Sequence, residues 1–350
     1  MISVHRVKTI ALLACFVCLS ACYYVQATRG QLEVLSKREP IDEILESPDT
    51  SEELSRKLAL VRDARQFSVD ELGLPDNKSY RSYSDLERDY VVWNVFAAPE
   101  FSLDPREWCY PIVGCVSYRG YFSQEAARKE ADKLGQKGFD VAVGGVPAYS
   151  TLGNFNDPVL STMMRWDDLQ LVSTLFHELA HQVLYIKNDT AFNESFATAV
   201  EEIGIERWLA ARGRKGDMTR YRERKDLHRK LMGLVNSARE DLRDYYARDI
   251  EAAEKRHLKA MRLERLSADV SNVLVAAGRA NNHWLSSELN NARLLPMTLY
   301  EARVPAFRAL FAECEFDLTC FYGRAKAVSK LKKPERDARL DELVDPLRQM

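Results

Sequence analysis

Residues 166–186 of the 350-residue chain read WDDLQLVSTLFHELAHQVLYI. Apolar side chains recur in this stretch every three or four positions, which is the spacing of one buried helix face. The stretch therefore predicts an amphipathic helix that packs against a core along one side. The apolar positions are Leu169, Val172, Phe176, Leu179, Val183 and Ile186.

The same helix carries two histidines, His177 and His181, and Glu178 follows the first of them. Residues four apart lie on one helix face about one turn apart, so both imidazoles can reach one metal ion. Glu178 is turned by about 100° around the helix axis, so it is placed to take a proton from water rather than to bind the ion. The pattern is typical of zinc peptidases, and the alternative is two ordinary helix histidines.

A second predicted helix, residues 189–212, follows a short loop and contains Glu194 and Glu201, which share a helix face. In an antiparallel hairpin Glu194 lies at about the height of His181, given a rise of about 1.5 Å per residue. Side chains tilt towards the N-terminus of their helix, which would instead bring Glu201 to the metal. Either glutamate can therefore be the third ligand, and the alternative for both is an exposed helix face.

The other segments predict an α+β fold, in which a small antiparallel sheet precedes a helical half. After Pro158 the pattern is helical throughout, and residues 217–262 have the spacing of one long amphipathic helix. We expect that helix to pack in a bundle, with a protruding arm as the alternative. The expected strands are 90–96, 110–121 and 139–151, and a further helix is expected at 123–137.

The N-terminus has the pattern of an export signal. A basic start precedes an apolar run over residues 9–21, which is shorter than the roughly 20 residues that a membrane-spanning helix needs. The run ends in Leu-Ser-Ala-Cys at Cys22, which resembles the lipobox of bacterial lipoproteins. That resemblance implies a signal peptide over residues 1–21, lipid on Cys22 and a membrane-anchored protein that faces the periplasm. Tyr23 is not the Asp that usually retains such proteins at the inner membrane, which favours the outer membrane. The alternative is an ordinary signal peptide or a short anchor helix.

Composition excludes one class of partner. The chain has 50 basic and 52 acidic residues and a formal net charge of −2, so no excess of positive charge is available for nucleic acid. We expect residues 22–50 to form a tether and a first helix, and residues 51–350 to form one domain.

Four cysteines remain outside the signal and the lipidation site. An exported chain with an even number of cysteines is expected to form disulfides, and four cysteines allow three connectivities. We expect two local pairs, with reduced buried thiols as the alternative. The pairs are Cys109 with Cys115 and Cys314 with Cys320.

The helix pair resembles that of the gluzincin metallopeptidases, in which an Asn-Glu pair follows the His-Glu-x-x-His helix. The resemblance implies that Glu194 is the third zinc ligand and that Glu201 supports His177 or His181. One departure concerns spacing. The gap of 12 residues between His181 and Glu194 is shorter than is usual in that group, whereas Glu201 has the usual spacing.

A closer resemblance is to a family of bacterial predicted aminopeptidases, many of them lipoproteins. It rests on residues 145–153 (GVPAYSTLG), 192–197 (FNESFA) and 290–293 (NNAR), together with the HELAH helix. It implies a zincin-like domain with one zinc ion that hydrolyses peptide bonds, as an aminopeptidase on periplasmic or envelope peptides. Two alternatives are a non-catalytic zinc lipoprotein that binds peptides or protein partners, and a scaffold whose charged helix binds envelope partners.

Substrate contacts are expected on the strand ahead of the metal helix. An edge strand can pair with the backbone of a peptide, so we expect Tyr149 and Ser150 in residues 145–151 to contact substrate. The alternative is an ordinary strand. An oxyanion also needs a hydrogen-bond donor. The candidates, which the sequence does not rank, are Tyr149, His283, Arg293 and Tyr300.

Overall fold

A computed structural model shows a mixed α+β protein, which confirms the predicted fold class. The residues that it describes are 23–110, 114–153, 155–279, 288–297 and 303–344. The first half holds the strands with helices α1 to α4, and the second half is helical.

The elements of the first half alternate between short helices and short strands. Capping is visible in the sequence, since Ser51 and Ser123 each accept a hydrogen bond from the first turn of the helix that follows. The elements are α1 (23–36), β1 (Arg38–Pro40), α2 (Ile41–Glu46), α3 (Glu52–Asp70), β2 (Ser82–Ser84), β3 (Val92–Pro99), β4 (Trp108–Tyr110), β5 (Gly114–Val116), β6 (Arg119–Tyr121), α4 (Gln124–Gly135), β7 (Phe139–Val146) and β8 (Val159–Leu160).

The helical half begins after a 3-10 turn at Ser161–Met163. Its elements are α5 (Asp168–Val183), α6 (Thr190–Ala211), α7 (Lys215–Ala247), α8 (Ala252–Ala276), α9 (Asn291–Leu294), α10 (Val304–Glu313), α11 (Leu318–Ser329) and α12 (Lys333–Val344).

The expected antiparallel sheet is present, with β3 paired to β6 on one side and to β7 on the other. Buried side chains of β3, such as Val95 and Ala97, pack against Ala127 and Leu134 of α4. A second small sheet has the order β1-β2-β8, and its β2–β8 pair is parallel, which the sequence did not predict. These sheets lie ahead of α5, the helix that carries His177 and His181, in the chain.

Disulfides join neighbouring cysteines. Cys109 and Cys115 face each other across the β4–β5 hairpin and are bonded, and so are Cys314 and Cys320 between α10 and α11. Both bonds therefore close short local loops of the chain.

Helices α5 and α6 form a tight antiparallel hairpin. Asp167 accepts a hydrogen bond from Gln170 N at 2.7 Å and caps α5. Asn193 fixes the turn, because its amide accepts from Ile186 N at 2.7 Å and donates to Ile186 O at 2.8 Å. At Gly204 an added Cβ would lie 2.7 Å from Phe176, so the two helices approach as closely as the glycine allows.

Helices α3, α10, α11 and α12 surround this hairpin and share one large core with it. Trp208 and Phe196 of α6 are among its buried side chains. The α6 N-terminus is tied to the C-terminal helices by a buried ion pair between Asp189 and Arg336, with Nε 3.1 Å from Oδ2. The α5–α6 pair is thus held from several sides.

The prediction of one helix over residues 217–262 is wrong, because the helix ends at Ala247 and the chain reverses through residues 248–251. The resulting α7–α8 hairpin has its own apolar core, to which both helices contribute. Burying the apolar stripe of one helix against that of the other removes both from water, which a single long helix would not do. The stripes meet at Val235, Ala238 and Leu242 of α7 and at Leu263, Leu266, Val270 and Leu274 of α8.

Residues 23–36, expected to act as a tether, are helical and packed. The Tyr23 ring stacks on that of Tyr110 with centroids 5.5 Å apart, and Gln26 Oε1 accepts from Phe122 N at 3.1 Å. A Cβ at Gly30 would overlap the Phe122 ring, so α1 lies directly on this side chain. Among the described residues, no helix combines the length and the apolar character needed to cross a membrane.

Candidate metal site

Two histidines and one glutamate converge between α5 and α6. His177 Nε2 lies 3.3 Å from Glu194 Oε2, and His181 Nε2 lies 3.7 Å from Glu194 Oε1. One ligand atom from each of the three residues lies within 4.8 Å of the other two. The two imidazole rings are edge-on, with centroids 4.9 Å apart. The structure therefore brings together the three residues that could hold one ion.

Glu201 lies behind this group rather than in it. Its Oε2 is 3.2 Å from His177 Nδ1, on the side of the ring opposite to Glu194. A carboxylate on one ring nitrogen fixes the orientation of the imidazole and leaves the other nitrogen directed at the ion. On the other histidine, His181 Nδ1 is buried and has no hydrogen-bond partner among the described residues.

Titratable groups at the site are strongly perturbed. Burial acts to lower the pKa of His177, but the hydrogen-bonded carboxylates of Glu194 and Glu201 outweigh it and raise that pKa to about 10. Burial raises the pKa of Glu178 to about 7 against the opposing charge of His177. Burial, followed by the charge of His177, lowers the pKa of His181 to about 4. The site concentrates carboxylates away from water, where a bound cation would offset their charge.

The donor set fits zinc. Two imidazole nitrogens and one carboxylate are a ligand combination that Zn²⁺ accepts, with a fourth position left for water or substrate. Glu178 is on the same helix as both histidines and, like His177, lines the cavity described below. Its position leaves its carboxylate available for proton transfer.

Three tyrosines that the sequence did not single out have pKa values that the site carboxylates raise. Burial, and then the charge of Glu194, raises the pKa of Tyr118, which follows β5, and of Tyr185, which follows α5. Burial, and then the charge of Glu178, raises the pKa of Tyr80. Each phenol is therefore close enough to a site carboxylate to be affected by its charge. Only the position of Tyr185, beside the metal helix, could have indicated this from sequence.

The strand expected to reach Thr151 ends earlier, at Val146. Pro147 follows and has no N–H to donate to a strand ladder, which explains the end of β7. The next segment is folded around Asp157, which accepts from Thr151 N at 2.8 Å and from Ser150 Oγ at 3.3 Å. Ser150 thus lies in an irregular loop, and the prediction that it belongs to an edge strand is wrong.

Tyr149 does not point freely at the site. Its hydroxyl donates a hydrogen bond to Gln31 Oε1 of α1, and its ring lies against Phe122. Arg293 lies in α9, two residues after Asn291, whose side chain donates to the carbonyl oxygens of Pro99 and Glu100. The other expected residues, His283, Tyr300 and Cys22, lie outside the described residues.

A cavity of about 840 Å³ opens beside His177 and Glu178. It extends along the N-terminal half of α5 and between that helix and the α7–α8 hairpin. Its walls come from four helices and from Pro296. The remaining lining residues are Gln170, Ser173, Thr174, Glu194, Thr198, Glu201, Tyr221, Arg224, Lys225, His228, Leu231, Met232, Val235, Val270 and Leu274.

The α+β fold and the largely buried His–His–Glu cluster define a class of protein with a potential metal site on a helix hairpin. The chain belongs to the family described as "Putative aminopeptidase", which matches residues 22–340. Membership of this family indicates a peptidase. No curated protein and no solved structure matches the chain significantly.

Proposed function

We propose that this protein is a zinc-dependent peptidase with a zincin-like domain, and that its peptidase activity is that of an aminopeptidase. The observation that carries the proposal is the convergence of His177, His181 and Glu194 within 4.8 Å beside a large cavity. The family description supports peptide hydrolysis. In this proposal the three residues hold one zinc ion, and Glu201 orients His177 through its Nδ1.

Bound zinc would lower the pKa of water to about 7 and polarise the peptide carbonyl. The protein's own contribution is made by Glu178. Its carboxylate accepts the proton of the attacking water and then passes a proton to the leaving amine. Because Glu178 lines the cavity, a peptide bound in the cavity lies beside this carboxylate.

An aminopeptidase needs an acidic group to bind the amino group of its substrate, and Glu201 and Asp157 are two acidic residues that could supply it. Glu201 is hydrogen-bonded to His177, and Asp157 is held by Thr151 and Ser150. Both carboxylates therefore already have hydrogen-bond partners within the protein. The family description is then what supports cleavage at a free amino terminus. The proposal is that a free amino terminus is required, and substrate variants test it directly.

The experiment uses purified protein and one peptide in free and N-terminally acetylated forms. We expect zinc-loaded protein to release the first residue of the free peptide, and the acetylated form to resist. Removing zinc with a chelator should abolish hydrolysis and adding zinc should restore it. Cleavage of both forms would keep the peptidase but replace exo- with endo-cleavage. No hydrolysis of either form by zinc-loaded protein would favour the peptide-binding alternative.

We also propose that the protein is lipid-anchored at Cys22, facing the periplasm and most consistently on the outer membrane. The sequence of residues 1–22 supports this. Since residues 23–36 are helical and packed, the anchor would hold the domain close to the membrane surface. Peptides of the cell envelope are then the expected substrates.

A further inference from the structure

We infer that the α7–α8 hairpin forms the specificity pocket of this site, and that the pocket takes an apolar side chain next to the bond that is cleaved. The inference rests on the proposed function and goes beyond it by naming the substrate class. It stands on the position, the lining and the anchoring of the cavity between α5 and the hairpin.

The cavity begins at His177 and Glu178 and continues past Ser173 and Thr174 along the preceding turns of α5. A peptide whose carbonyl lies at the metal site has its neighbouring side chains within a few ångströms of this opening. The cavity is therefore continuous with the place where the reaction occurs.

The lining changes along α7. Arg224 and Lys225 lie at one end, and Leu231 and Val235 lie roughly 9–16 Å further along the helix, at 1.5 Å per residue. Both cations are paired, since Arg224 Nη1 lies 3.1 Å from Asp167 Oδ2 and Lys225 Nζ lies 3.2 Å from a Glu202 carboxylate. Their charge is already offset, so an acidic side chain is not favoured there.

The end of the cavity that lies away from Arg224 and Lys225 is apolar on both helices of the hairpin. Leu231, Met232 and Val235 of α7 face Val270 and Leu274 of α8. An apolar side chain placed among them leaves water without exposing a charged or polar group, and this stabilises binding in proportion to the apolar area buried. A volume of about 840 Å³ is within the usual range of ligand pockets, about 300–1,000 Å³.

The α7–α8 hairpin, which forms one wall of the pocket, is fixed to the rest of the protein at both ends. At its far end Lys259 Nζ donates to Asp140 Oδ2 of β7 at 2.6 Å, and Tyr246 Oη donates to Asn291 Oδ1 at 2.7 Å. At its near end α7 follows α6 directly, and Arg224 reaches Asp167 at the start of α5. The wall of the pocket is thereby fixed to both the sheet and the metal helix.

In the test, the variant Leu231→Trp places a larger side chain in the pocket, and Leu234→Trp is the matched control. Leu234 is partly buried on the same helix and packs against the same core, but it does not line the cavity. The substrates are peptides with Leu or Ala on either side of the scissile bond. The readout is the ratio of kcat/KM for Leu over Ala peptides, at matched zinc content and with melting temperature recorded.

We expect the wild type to prefer Leu at one of these positions, and Leu231→Trp to reduce that preference by about tenfold or more. Leu234→Trp should leave the ratio unchanged. An unchanged ratio in Leu231→Trp, or an equal fall in both variants, would overturn the inference while leaving the peptidase intact.

If wild-type protein hydrolyses no peptide, the proposed function fails. Peptide binding then tests whether the pocket takes an apolar side chain. Calorimetry with zinc-loaded Glu178→Gln protein would compare the same Leu and Ala peptides. Tighter binding of the Leu peptide that Leu231→Trp removes would support an apolar pocket, and equal binding of both peptides would refute it.

Discussion

His177 and Glu201 are 24 residues apart in the chain, yet Nδ1 of one lies 3.2 Å from Oε2 of the other. The contact joins neighbouring helices and leaves Nε2 of the same imidazole 3.3 Å from Glu194. The two ring nitrogens of His177 thus contact different glutamates, Glu201 and Glu194, either of which the sequence allowed as the third ligand. We therefore propose that Glu194 is the third ligand and that Glu201 positions the His177 ring.

This assignment predicts unequal effects of two matched substitutions. Glu194→Gln removes a ligand, whereas Glu201→Gln removes a partner of a ligand and should weaken zinc binding by roughly 10–100-fold. We expect the larger loss from Glu194→Gln, measured by competition with a chelator of known affinity. Circular dichroism would show that both variants fold. A greater loss from Glu201→Gln would exchange the two roles.

Zinc binding should release protons. In metal-free protein the carboxylates of Glu194 and Glu201 raise the pKa of His177 to about 10, so its imidazole is protonated at pH 7. A ligand must lose that proton, so the apparent zinc affinity should rise as pH increases from 7 towards 10. Calorimetry in buffers of different ionisation enthalpy would count the protons released. A pH-independent affinity over this range would contradict the prediction.

Helix packing should affect the metal site through Gly204. An added methyl group would lie 2.7 Å from Phe176, the residue before His177. We expect Gly204→Ala to lower the free energy of unfolding by about 1–3 kcal/mol because of overpacking, and to weaken zinc binding by moving α5 away from α6. Gly233→Ala is the control. Its Cβ would meet nothing within 4 Å, and alanine should stabilise that helix by about 0.5–1 kcal/mol. Urea unfolding of both variants measures the difference, and equal effects would refute the close approach.

Some of this structure was predictable from local patterns. The two helices of the α5–α6 hairpin were predictable from apolar spacing and from their polar caps, Asp167 and Asp189. The position of Glu194 and Glu201 on one face of α6 was predictable from helix geometry. The early end of β7 was also predictable, because Pro147 cannot continue a strand ladder. These features depend on residues close together in the chain.

Other features depend on distant contacts and left no local signal. The break between α7 and α8 contains neither glycine nor proline over residues 248–251, and the reversal is stabilised by the apolar core that the two helices share. Tyr118 approaches Glu194 although it follows a short hairpin strand 76 residues earlier. Periodicity reports which face of an element is buried but not which other element covers it.

Lipid attachment at Cys22 should be visible during export. We expect globomycin to cause an unprocessed precursor to accumulate, and the mature protein to partition with membranes. Cys22→Ser should prevent both maturation and membrane association, whereas Cys18→Ser in the signal should change neither. Metabolic labelling with a fatty acid would follow the lipid directly. A Cys22→Ser protein that still matures and remains in the membrane fraction would contradict the prediction.

Glu178 provides the sharpest test of catalysis. Glu178→Gln keeps the size and hydrogen bonding of the side chain but removes the base, so the variant should fold and bind zinc while hydrolysing peptides more slowly. The loss should be roughly 10²–10⁴-fold, the range for general acid–base catalysis. Glu202→Gln is a suitable control, because Glu202 is also a partly buried helix carboxylate, paired with Lys225 rather than facing the metal ligands. A zinc site that serves only structure predicts equal rates in the wild type and both variants, since a base beside a structural ion has no proton to transfer. Hydrolysis is therefore measured at matched zinc content, and only a selective loss in Glu178→Gln is compatible with the catalytic role.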